Sequence, residues 1–246
     1  MDYDAAKQRI LYLIDTELLI SNNIVSKYKS WVQRWEQAFS VFDNLVSKTK
    51  IHPSYGPLAG LVSEAHSSLR VAYLTSLKGY YPEALSILRR VHEAVVKTIY
   101  CKKISLDHIQ IKIQDVLKTS PAGFEAKLGW DLKWLYNIES GYTHSDVLQI
   151  YKTFKSRNKP TEIPYGPQIP QYYQNMEEFQ SVANASIFWL LIVIKFYPWV
   201  FKKMIDMTKI EDYQETIELL ESYLKQSAKG NLFREYEKMT KFIEIP

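Results

Sequence analysis

The chain has 246 residues, 46% hydrophobic and 24% charged, a balance that can bury a core and that excludes a disordered tail, a collagen or a low-complexity polymer. Eight glycines and ten prolines supply too few turns for a many-stranded sandwich or barrel, where a turn is needed every ~8 to 12 residues. The formal net charge of +4, from 31 basic against 27 acidic side chains, identifies no partner by itself.

Apolar residues recur at helical spacing over residues 4–20 (Ile10, Leu13, Ile14, Leu18) and again over 26–48 (Trp31, Trp35, Phe39, Phe42, Val46), which predicts two amphipathic helices. The first ten residues carry Asp2, Asp4, Lys7 and Arg9, not the basic-then-apolar order of a secretory signal. His52-Pro53-Ser54-Tyr55-Gly56-Pro57 is a turn by composition. A third helix is expected over 57–78, closed by Gly79, and a fourth over 82–102, opened by Pro82. So short a connection forces these two into an antiparallel hairpin. Cys101, the one cysteine, rules out an internal disulfide and any multi-cysteine metal site and suits a reducing cytosol, so cytoplasmic residence is expected, and no cofactor or metal.

Helices are expected next at 105–118 and 122–139, then a short one at 145–154 after the break at Ser140-Gly141-Tyr142-Thr143-His144. Residues 155–171 hold Pro160, Pro164, Pro167, Pro170 and Gly166, a loop no helix survives. Beyond it, a long apolar helix over 172–207 with a kink at Pro198, a charged helix over 210–229 and a last one to residue 243 complete the chain. The apolar run 187–194 is cut by Lys195 before it reaches spanning length, which makes it a buried core helix rather than a transmembrane segment; a helix lying on a membrane surface is the alternative.

On the fourth helix Ala84, Leu88, Val91, Val95 and Ile99 form the core stripe, with His92 projecting into it and Arg89 and Glu93 stacked on one flank. On the third, Leu58, Val62, Ala65, Leu69 and Tyr73 make the matching stripe, with His66 at its edge and Arg70 just outside. Counting back from the turn brings Arg70 level with His92 and Glu93, so one carboxylate is expected to face two arginines. An ion-paired strut and a phosphate-binding site both fit that pattern. His144, at a loop-to-helix junction, is the imidazole that would complete a site, with Tyr142 beside it; the same polar cluster would also cap a helix.

The stretch from Gly79 to Glu93 (Gly-Tyr-Tyr-Pro-Glu-Ala-Leu-Ser-Ile-Leu-Arg-Arg-Val-His-Glu) resembles a family of prokaryotic all-helical proteins related to HEPN domains, in which a Leu-Leu-Arg-Ser-Leu-Phe-Glu helix precedes a Ser-x-Tyr-x-His segment. Arg89, Glu93, Tyr142 and His144 fall on its polar positions, and the similarity spans residues 61–145. It implies a bundle found in toxin–antitoxin and antiviral defence systems, whose active members are metal-independent ribonucleases. Their usual signature, a histidine four to six residues after an arginine on one helix, is absent: His92 follows Arg89 too closely.

These readings together give an all-α multi-helix bundle with a central antiparallel HEPN-like hairpin (core 57–154) and N- and C-terminal helical extensions, the latter over 172–246. The expected function is a defence- or stress-associated module binding RNA or a nucleotide. Any ribonuclease chemistry would fall to His144, Arg89 and Glu93, with Arg70, His92, Tyr142 and His66 as binding residues. The alternative is a non-catalytic scaffold, homodimeric or holding a protein partner as an antitoxin does.

Overall fold

The structure, a computed structural model, describes residues 3–103, 119–141, 176–227 and 231–241. The described residues form nine α-helices and no strand. The expected helices at 105–118 and 145–154, the proline-rich loop, Tyr142 and His144 lie outside them.

Helix α1 (Tyr3–Lys27) runs seven residues beyond its expected end, and Tyr28, at φ −116° and ψ 36°, is the single non-helical residue before α2 (Lys29–Ser47). Helices α3 (Gly56–Leu77) and α4 (Tyr81–Lys103) make the hairpin that the glycine and proline predict. Gly79 takes φ +84°, and its N–H and that of Tyr80 bond to the carbonyls of Ser76 and Thr75. This left-handed ending satisfies the last carbonyls of α3, and a side chain at residue 79 would strain it. Every residue of both predicted stripes is buried.

The predicted helix over 122–139 is two helices, α5 (Pro121–Leu128) and α6 (Lys133–Gly141). Ser120 caps α5 through Gly123 N–H, and Gly129, at φ +74°, ends it with the same paired bonds, from its own N–H to Ala126 and from Trp130 to Glu125. Periodicity carried across this stop because Trp130, Leu132 and Leu135 stay apolar and buried on the far side of it.

Helix α7 (Met176–Val200) is long and apolar enough to cross a membrane by composition. Its sides are taken by α2, α3, α4, α8 (Tyr213–Gln226) and α9 (Asn231–Thr240), and residues 187–194 are all buried, as a core helix requires. Lys195 is tolerated because its Nζ reaches Glu221 Oε1 on α8 at 3.2 Å, an oxygen that also accepts from Tyr236 of α9 at 2.5 Å. The helix stops at Val200, two residues past Pro198, instead of running on to 207. Proline removes a donor and crowds the preceding turn, and the chain leaves through a 3₁₀ turn at Met207–Lys209.

Helix α1 joins this core only from Leu13 onward. Ile20 and Ile24 are buried and Leu13 packs partly against the cluster, while Ile10, Ile14 and Leu18, which the periodicity placed on a packed stripe, are exposed.

Candidate functional site

His92 is completely buried, as its place in the α4 stripe predicts. Its Nδ1 lies 2.8 Å from Glu139 Oε2 of α6, and its Nε2 lies 2.9 Å from Glu125 Oε1 of α5. The first contact is an aligned hydrogen bond; the second is close but off the N–H direction, so it acts as an ion pair. Trp189 of α7 donates its indole N–H to Glu139 Oε1 at 2.7 Å, and the rings of Trp189 and Tyr136 flank the imidazole. Burial alone would depress the imidazole, but Glu139 and Glu125 outweigh it and raise the pKa to about 9. An imidazolium between two buried carboxylates is thus the neutral-pH state, and it ties α4, α5, α6 and α7 together.

Both glutamates escape sequence reading because a carboxylate with no charge partner nearby in sequence is expected at the surface. The indole bond supplies a first test. Trp189→Phe keeps most of the ring packing and deletes the N–H, and urea unfolding is expected to show a loss of about 1–3 kcal/mol; an unchanged midpoint would mean that Glu139 does not need that donor.

Arg89 and Glu93 stack as the i,i+4 spacing predicts, Nε to Oε1 at 3.1 Å, with Lys97 at 3.9 Å from the other oxygen and the Arg89 guanidinium over the Tyr136 ring. Arg70 turns elsewhere. It pairs with Asp43 of α2 and lies over Phe39, while His66 Nε2 sits 2.9 Å from Asp43 Oδ1 and 3.4 Å from Arg70 Nε. Burial, then Arg70, lowers the His66 pKa against the opposite pull of Asp43. With α3 ending at Leu77 and α4 opening at Tyr81, Arg70 counts level with about Leu88 rather than His92, and it points to the side of α3 that α2 covers.

A different concentration of polar groups lies where α2, α4 and α7 all end. Lys50 N–H bonds to Met204 O at 3.0 Å and Lys48 Nζ to Lys209 O at 2.5 Å, drawing the tail of α2 to the chain after α7. Lys102 Nζ stands 5.5 Å from the Tyr55 ring centre and 5.9 Å from that of Trp199. Burial and the nearby Lys203 lower the Lys102 pKa, which places those two ammonium groups within each other's field. With Lys103 and Lys202 adjoining, seven lysines gather at this end, against Asp206 on Lys209 and, further along the turn, Glu211 and Asp212. The partial negative charge of three helix C-termini lets the lysines crowd together. Sequence reading misses the cluster because its members come from four separate stretches of chain.

Among the described residues no group of His, Cys, Asp and Glu could hold a metal ion. Compared with protein-family models, curated proteins and solved structures, the chain gives no match.

Proposed function

We propose that this protein is a helical RNA-binding module that binds without cleaving, through the lysine-rich end of the bundle. The observation that carries the reading is Lys102, set against the Tyr55 and Trp199 rings with Lys203 beside it, at the end of the bundle where Lys48 and Lys50 are bonded to the chain after α7 and where Lys103 and Lys202 adjoin in sequence. Cations along a phosphate backbone, interleaved with aromatic rings for bases, are what a single strand selects for. A HEPN-like origin of the α3–α4 hairpin agrees with such a role. Cleavage is not part of the proposal because Arg89, Glu93, Arg70, His66 and His92 each have an oppositely charged or hydrogen-bonding neighbour that gives them a structural task.

Fluorescence anisotropy with a labelled single-stranded RNA of about 20 nucleotides tests the site. Lys50→Glu, Lys103→Glu and Lys203→Glu combined are expected to weaken binding more than tenfold and to flatten the salt dependence by roughly 2 log units per log unit of salt, at ~0.7 for each phosphate no longer neutralised. Lys29→Glu, at the other end of α2, leaves both unchanged. Equal binding by the triple variant overturns the site. The same RNA, incubated without divalent metal, is expected to stay intact; cleavage that His144→Ala or Arg89→Ala abolishes would make the protein a nuclease.

A further inference from the structure

The first half of α1 is a helix with almost nothing to rest on. Residues 7–12 are all exposed, yet they include Ile10, Leu11 and Tyr12, and Ile14, Leu18 and Leu19 follow at 53%, 58% and 57% exposure. At 100° per residue, Ile10, Leu11, Ile14, Leu18 and Val25 form a single stripe, turned roughly 100° from the Ile20–Ile24 stripe that meets the core. Within it Leu11, Ile14, Leu18, Ser21 and Val25 alternate spacings of three and four, the a/d pattern of a coiled-coil seam. A lone helix of this length is marginal in water, and an apolar stripe on its free side makes solitude less favourable still.

We infer that α1 is a dimerisation arm whose free stripe packs antiparallel on α1 of a second copy of this chain. Three observations select that occupant. The 3-4 spacing calls for another helix rather than a flat surface. Lys7 lies on the stripe and Asp15 on its flank, four residues to either side of Leu11, so antiparallel copies set these opposite charges together and parallel copies set like against like. With Leu11 at the two-fold axis, Lys7 of each copy stands level with Asp15 of the other. The area also suffices. Lys78 Nζ, 2.8 Å from Glu17, ties the arm to an outward face of α3 on which Val71 and Leu74 are exposed in the same row. Together with the arm they offer up to about 600 Å² per copy, the lower end of what a specific interface buries on each side.

Sedimentation of the full chain is expected to give a dimer at micromolar concentration. Ile14→Glu with Leu18→Glu should raise the dissociation constant at least ~100-fold with an unchanged circular dichroism spectrum, because neither side chain is part of the core. Lys7→Asp should weaken the dimer, and adding Asp15→Lys should restore it; a parallel pair or a non-specific hydrophobic contact would show no such rescue. A wild-type monomer at about 100 μM overturns the inference, and binding of that monomer to anionic lipid vesicles would assign the stripe to a membrane surface instead. A dimer that survives Ile14→Glu with Leu18→Glu overturns it as well.

Discussion

His92→Leu is expected to destabilise the protein by about 3–5 kcal/mol, the cost of leaving buried charge without its counter-ion. The imidazole is completely inaccessible, and both of its nitrogens face carboxylates that are themselves buried. Leucine fills much of the volume, so the loss is electrostatic rather than a cavity. Glu125 and Glu139 would then confront each other without the cation between them, the Trp189 N–H still donating to Glu139. The reciprocal change separates this account from simple repacking. Leucine at 92 with methionine at both 125 and 139 removes every charge together and should recover most of the loss, since apolar replacements of whole buried ionic groups are often neutral or stabilising. Urea denaturation of the two variants decides it: a loss under ~1 kcal/mol for His92→Leu alone, or no recovery in the combined variant, would mean that the trio carries no net charge coupling.

What the sequence discloses here follows the range of the interactions involved. The hairpin was legible because its signals are local: Gly79 and Pro82 set the turn, and the 3.6-residue period sets faces that meet across it. The burial of His92 and the Arg89–Glu93 pair were legible for the same reason, being properties of one helix. The partners of His92 were not, since Glu125 and Glu139 come from helices whose approach to α4 is a tertiary fact, and a buried acid runs against the usual expectation for its residue type. Arg70 shows the limit of counting residues. Its height along the hairpin is fixed by rise per residue, but Asp43 of α2 claims it from the other side. In α1 the period correctly announced a helix but merged two apolar stripes that share it: Leu13 meets the core with Ile20 and Ile24, and Ile10, Ile14 and Leu18 do not. The cluster of lysines has no local signature at all.

The charged state of His92 also predicts how stability varies with pH. Its folded pKa, about 9, lies above the ordinary histidine value of 6.5, so the folded protein holds this proton more tightly than the unfolded chain does. The resulting stabilisation is complete below pH ~6.5 and is lost as pH rises through about 9, a fall on the order of 3 kcal/mol. His66 has the opposite sign: its folded pKa is depressed, so its contribution is present above pH ~6.5 and is lost as pH falls below it. Among the described groups with shifted titrations, Glu17 and Asp206 lie well below this window and Cys101 and the buried tyrosines at its alkaline edge or beyond, while the lowered Lys102 acts with the opposite sign to His92 and is common to the wild-type protein and His92→Leu. The unfolding free energy should therefore decline between pH 6.5 and 9 in the wild-type protein, with the decline absent in His92→Leu. An equal decline in both would place the titrating group elsewhere, and a flat profile in the wild type would mean that the imidazole between Glu125 and Glu139 does not carry the proton at neutral pH.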